Sequence, residues 1–137
     1  MEYVQYGKEY GKSLTKDTVG TGFERFFFQG LGTASLSQRL IIVKSIRDRV
    51  RKFRMVLSTE GLRLISSSLL IFYDAGEGDT SGETHADIRL IDFGHSHFLD
   101  GVGADDDVAN ALAELEDNFN TMISTKSRSL EKADASP

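Results

Sequence analysis

The sequence predicts an α+β domain, and three observations carry that prediction. One apolar stripe runs through residues 35–57 at helical spacing. Two β-favouring runs, Leu69 to Tyr73 and Asp87 to Phe93, flank a glycine-rich polar stretch, and a last amphipathic stripe extends from Val108 to Met122. Helices on one side of a small antiparallel sheet, built from the strands near Leu64, Leu70 and Leu90, satisfy all three.

Met1 to Lys12 is tyrosine-rich and reads as turn-like, punctuated by Gly7 and Gly11. Thr15 is the N-cap candidate of a helix through Gln29: Val19, Phe23, Phe26 and Phe27 recur at helical spacing, and Asp17 suits the positive end of the helix dipole. Gly20 and Gly22 weaken that helix by about 1 kcal/mol each relative to alanine. The next helix starts at Ser35 or Ser37 and runs to about Leu57, with Leu36, Leu40, Val43, Ile46, Val50, Phe53 and Leu57 on one face and its charges opposite. Leu62 to Ile65 reads as a strand entry and Leu69 to Tyr73 as a buried strand. Asp74 to Ala86, with Gly76, Gly78 and Gly82, is a surface connection. An aspartate before Val108 caps the closing helix. The reading gives one domain, residues 1–123, and a polar, frayed tail, 124–137.

At 137 residues and 39% hydrophobic content the chain can bury a core. No run of about 18 apolar residues is present to span a membrane, nor a secretory signal pattern, which with the absence of cysteine suggests a soluble cytoplasmic or nuclear protein. Without cysteine there are no disulfides, thiolate metal sites or cysteine nucleophiles. The net charge of -5 argues against DNA or RNA as the partner. Lys44, Arg47, Arg49, Arg51, Lys52 and Arg54 nevertheless crowd one helix, where they form either a polyanion site or a solvated face.

The residues with chemical potential cluster at Ser66-Ser67-Ser68-Leu69-Leu70 and Ile91-Asp92-Phe93-Gly94-His95-Ser96. Asp92 sits where a strand ends before a glycine. A carboxylate so placed is a hard oxygen ligand suited to Mg2+, which completes its shell with water and nucleotide phosphates. His95 can orient a phosphate. The hydroxyls of Ser67 and Ser68 can donate to phosphate or to metal-bound water, or simply form turn bonds at a strand start. His95 and His97 beside Asp100 form a poor transition-metal set, because the third ligand has no fixed position. Neither a Gly-x-x-x-x-Gly-Lys loop nor a Gly-x-Gly-x-x-Gly motif occurs.

Taken in order, Lys8-Glu9-Tyr10-Gly11-Lys12-Ser13-Leu14-Thr15, the Gly22-Phe23 and Phe26-Phe27 that follow, Ser66 to Leu70, and Ile91 to Ser96 resemble the carboxy-terminal part of the inositol polyphosphate kinase family over roughly residues 6–115. The resemblance implies transfer of the ATP γ-phosphate to an inositol polyphosphate with Mg2+ as cofactor. Asp92 is then the metal-binding and catalytic aspartate, and Ser67, Ser68 and His95 lie beside the nucleotide phosphates. Two departures accompany it. The family's Pro-x-x-x-Asp-x-Lys-x-Gly motif does not occur, and the amino-terminal lobe with the lysine that grips ATP is not represented. Where relatives show Asp-x-x-Tyr-x-x-Gly-Leu, this chain has Asp105, Val108, Ala111 and Leu112. The alternative reading is a non-catalytic remnant or fragment that binds inositol phosphates or a protein partner. A protein-kinase fragment fits poorly, since no His-Arg-Asp loop precedes Asp92-Phe93-Gly94 and no Ala-Pro-Glu follows.

Overall fold

The computed structural model describes residues 3–59, 61–76, 85–98 and 105–135. Elements follow in the order α1 (Lys8–Ser13), α2 (Val19–Phe28), α3 (Leu36–Thr59), β1 (Leu62–Arg63), β2 (Ser68–Tyr73), β3 (Ala86–Ile91), β4 (His97–Phe98) and α4 (Asp106–Ala135).

The long helix α3 starts where a reciprocal cap can form. The Gln38 N–H donates to Ser35 Oγ (3.2 Å) and the Ser35 N–H donates to Gln38 Oε1 (2.8 Å), so two backbone donors that the first turn leaves over are answered. Its stripe packs along α4, and Val43, Ile46, Val50 and Phe119 close the core with almost no exposure. Phe27 of α2 enters the same core edge-on to Phe119, with ring centroids 5.7 Å apart. β3 lies against α3, which fixes the β2–β3 ribbon on the helical layer.

Several expectations change. The single sheet is two antiparallel pairs, β2 with β3 and β1 with β4. The reason is that Leu64, next along from β1, gives its N–H to Asp105 Oδ2 (3.2 Å) and Ile65 gives its N–H to Ser96 Oγ (3.4 Å), so that side chains take the bonds a continuing ladder needs. β2 is not wholly buried: its residues alternate between exposed and half-buried, leaving Leu70 and Phe72 on an open face. Part of the opening segment is helical, as α1, with Gly7 at its N-cap and no buried residue. α2 begins at Val19 because Thr15 and Thr18 form a turn of their own, the Thr15 N–H donating to Thr18 Oγ1 (2.8 Å).

The frayed tail expected from Ser124 is helical to Ala135. Its polar residues are anchored rather than solvated: Lys126 pairs with Glu24 of α2, Leu130 packs on the core, and the Thr125 and Ser129 hydroxyls donate to carbonyls one turn back. α4 is capped by Asp105, whose Oδ1 accepts the Val108 N–H (3.4 Å) and pairs with Arg63 (3.3 Å). The connection between β2 and β3 lies partly outside the described residues, as do Asp100 and the start of the acidic stretch after it.

Candidate functional site

The register of the ribbon assembles the site. Ser68 faces Ile91, so the next positions outward, Ser67 and Asp92, flank the same open end of the two strands. Asp92 lies just past β3 with φ 59°, and Ser66 just before β2 with φ 54°. These are the two non-glycine residues with positive φ among the described residues, and both stand at this end. A left-handed conformation costs a side chain roughly 1–2 kcal/mol and persists where the surroundings hold it.

The surroundings hold it from both sides. β3 is fixed by its ladder to β2, while the five residues from Asp92 to Ser96 lead directly into β4, which pairs Leu62 with Phe98 and Arg63 with His97. Within that bend the Ser96 N–H donates to the Phe93 carbonyl (3.0 Å). The carboxylate of Asp92 is exposed and, among the described residues, makes no hydrogen bond or ion pair. Ser68 and His95 are exposed as well, Ser67 is half-buried, and none of the three side chains has a hydrogen-bond partner among the described residues.

Sequence reasoning missed the apolar side chains next to this polar end. Leu70 (46% exposed), Phe72 (44%) and Ile91 (36%) sit on the outer face of the ribbon, in line with Ser68. Exposure at alternate positions of a run read as continuously buried was the signal that periodicity could not supply. Exposed apolar side chains near an exposed carboxylate are chemically suited to a molecule with an apolar body and a metal-bound anionic tail. No cluster of three or more histidine, aspartate or glutamate side chains suited to a metal occurs among the described residues. Asp92, Ser67, Ser68 and His95 also do not line the large groove, which runs along β2 from Leu69 to Tyr73 and faces the α1–α2 region.

The basic helix is largely committed. Arg51 Nε and Arg54 Nη2 hold the two carboxylate oxygens of the buried Glu116 at 2.7 and 2.8 Å, Arg49 holds Asp87 at 2.9 Å, and Arg47 bonds Asp48 and Asn120. Hydrogen bonding from Arg51, more than burial opposes it, keeps the Glu116 carboxyl below the usual range; Arg54 adds to this. These arginines join α3 to α4 and to β3 instead of forming an open polyanion surface.

A family model described as inositol polyphosphate kinase matches residues 1–120. The inositol polyphosphate multikinase of Schizosaccharomyces pombe is 32% identical over 98 residues, covering 70% of this chain and 35% of that protein. The inositol phosphate multikinase Ipk2 of S. cerevisiae, solved in complex with ADP and Mn2+, superposes with a TM-score of 0.75 at 25% identity, over 88% of this chain and 55% of that one. The chain thus spans about a third of the curated relative and about half of the solved one. With the four motifs in order, the mixed helix and antiparallel-strand fold, and the family model over most of its length, the chain belongs to the inositol polyphosphate kinase family.

Proposed function

We propose that this chain carries the nucleotide-and-metal side of an ATP-dependent inositol polyphosphate kinase site, with Asp92 as the metal-binding carboxylate. The observation behind this reading is the free Asp92 carboxylate, held at a strand end in a left-handed conformation beside exposed serines. The ADP and Mn2+ bound to the yeast relative support the same ligand classes for this fold.

The residues fit a hard divalent cation: an unpartnered carboxylate in solvent supplies one oxygen and leaves the remaining positions to water and phosphate. Bound Mg2+ would neutralise charge on the phosphates as the terminal phosphoryl group leaves. Asp92 would hold that ion at the end of β3. Ser67 and Ser68 donate hydroxyl protons to phosphate oxygens from the start of β2, and His95 faces the same anionic tail from the bend. Leu70 and Ile91 supply apolar surface for the base. In the transfer, an acceptor oxygen of the inositol polyphosphate bonds to the terminal phosphorus while the bond to the bridging oxygen breaks and ADP leaves, and the proton of a hydroxyl acceptor passes to solvent. The groups that orient the acceptor correspond to the Asp-x-Lys-x-Gly motif, which these 137 residues lack, so nucleotide binding is retained more readily here than turnover.

Calorimetric titration of the chain with ADP and Mn2+ tests the reading. Weak, metal-dependent nucleotide binding is expected, at least about tenfold weaker in Asp92→Asn, the effect of losing a charge-assisted contact. Equal affinity in the two proteins would remove Asp92 from the site. The alternative of polyanion binding along α3 is disfavoured by the ion pairs that already occupy Arg49, Arg51 and Arg54.

A further inference from the structure

The two short ladders are one antiparallel hairpin with a gap in it. β1 pairs with β4 and β2 with β3 along the same two stretches of chain, Leu62 to Tyr73 and Ala86 to Phe98. Four residues, 64–67, separate the ladders on the first stretch and five, 92–96, on the second. The second stretch thus carries one extra residue, the count of a β-bulge, which bends a strand and re-aims its side chains. Ser66 and Asp92, the residues with left-handed backbones, lie inside this gap, as do Ser67 and His95.

One side chain bridges the gap. Ser96 Oγ accepts the Ile65 N–H (3.4 Å), while the Ser96 N–H donates to the Phe93 carbonyl (3.0 Å), so this residue grips the first stretch with its hydroxyl and its own bend with its backbone. Among the described residues it makes the one hydrogen bond between the two segments. The neighbouring Leu64 N–H goes instead to Asp105, the α4 cap, which ties the first stretch to the helix and not to the bend that holds Asp92.

Ile65 is 46% exposed, so solvent is at hand for its N–H and the bond is not required to satisfy a buried donor. What the bond adds is placement. Ile65 directly precedes the left-handed Ser66, so its position is passed to Ser67 and Ser68, and the turn closed by Ser96 belongs to the bend that opens with Asp92.

We propose that Ser96 is a positioning residue for the nucleotide-and-metal site: its hydroxyl holds the segment carrying Ser67 and Ser68 at a fixed offset from the bend carrying Asp92. The inference deepens the proposed function and rests on it. Ser96→Ala removes the acceptor and Ser96→Thr restores one, while Leu130→Ala, which removes a core contact far along α4, controls for lost stability. All are made in the full chain, with ADP and Mn2+ as the probe. Without ligand, the Ile65 amide is expected to exchange about fivefold faster in Ser96→Ala, the loss of one neutral hydrogen bond, and to recover in Ser96→Thr. With ligand, calorimetric affinity should fall about fivefold in Ser96→Ala, recover in Ser96→Thr and keep its wild-type value in Leu130→Ala. At saturation, bound Mn2+ should broaden the NMR amide signals of Ser67, Ser68 and Asp92 together in wild type, and those of Ser67 and Ser68 less than that of Asp92 in Ser96→Ala. Lost stability alone does not separate them. Unchanged Ile65 exchange, wild-type affinity in Ser96→Ala, or an equal loss of affinity in Leu130→Ala would overturn the positioning role and leave the nucleotide reading standing. A wild type that binds no ADP, or binds it no better than Asp92→Asn does, would remove both.

Discussion

The two ends of the β2–β3 ribbon share the same pair of strands and do opposite things. At the Tyr73 end the ring stacks on Phe27 with centroids 5.5 Å apart, its hydroxyl donates to the Phe26 carbonyl, and Ala75 receives the Ala34 N–H. At the Asp92 end two residues hold left-handed backbones, and the Asp92, Ser68 and His95 side chains are exposed without partners among the described residues. Six residues of strand, roughly 20 Å, separate them. Packing is concentrated at one end, which leaves the other free to hold strained, open polar groups, the arrangement that a ligand can complete.

The largest test of this division compares a core aromatic with the site carboxylate. Phe27→Ala should lose about 3–4 kcal/mol, because it removes a nearly inaccessible ring that touches both Tyr73 and Phe119. Asp92→Asn should change stability by less than about 0.5 kcal/mol, since its side chain has no described partner to lose. Urea unfolding measures both. A loss above about 1 kcal/mol in Asp92→Asn would show that the open end is part of the structural framework after all.

Next in size is Gly32→Ala, where the loop after α2 meets the end of β2. Gly32 has φ 122°, and a Cβ there would lie 2.6 Å from the Ala75 carbonyl oxygen, a backbone atom with little room to give way. A loss of about 2 kcal/mol is expected from strain and contact together. Hydrogen exchange would locate it: the Ala34 amide should lose protection, while amides at the Asp92 end stay as they were.

The helical layer was legible in the sequence because apolar spacing and cap chemistry agree there, as with Ser35, Gln38 and the stripe from Leu40 to Leu57. The extension of α4 past Ser124 was not, since it depends on a tertiary ion pair of Lys126 and on one apolar contact at Leu130, neither of which leaves a periodic trace. The two separate ribbons were hidden for a similar reason: Asp105 and Ser96 interrupt the ladder from distant positions. At the site, the order of motifs marked Asp92, Ser67, Ser68 and His95, and register places Ser67, Ser68 and Asp92 at one end. What spacing could not reveal was which cations are spent. Arg49, Arg51 and Arg54 read as an available row until their partners on α4 and β3 are seen.

That row gives the pH dependence. The folded-state pKa of Glu116 is depressed, with the Arg51 hydrogen bond as the main cause. Its contribution is therefore present above the unfolded value, 4.5, and is lost as pH falls through the lower folded value. Glu116→Gln should cost about 1–2 kcal/mol at neutral pH, with the gap from wild type closing in acid. Unfolding midpoints across that range check it. A gap that is constant with pH would mean that Glu116 matters for its shape and not its charge. Neither end of the ribbon contains Glu116, so nucleotide affinity should not follow this change.

The smallest expected effect is the most specific to the comparison. If the left-handed backbone at Ser66 and Asp92 is strain tolerated for the sake of an open site, glycine at either position should relieve it. The conformation costs a side chain roughly 1–2 kcal/mol, and glycine returns roughly 0.5–1 kcal/mol of that through the added freedom of its unfolded chain. Ser66→Gly and Asp92→Gly should each gain about 0.5 kcal/mol in urea unfolding. Their consequences for nucleotide then part, because Ser66→Gly keeps the carboxylate and Asp92→Gly removes it. Stabilisation in both, with metal-dependent ADP binding surviving only in Ser66→Gly, would separate the backbone's role from the side chain's. Destabilisation in both would mean that the positive φ values are held by side-chain packing rather than endured, and the contrast between the two ends would lose its energetic basis.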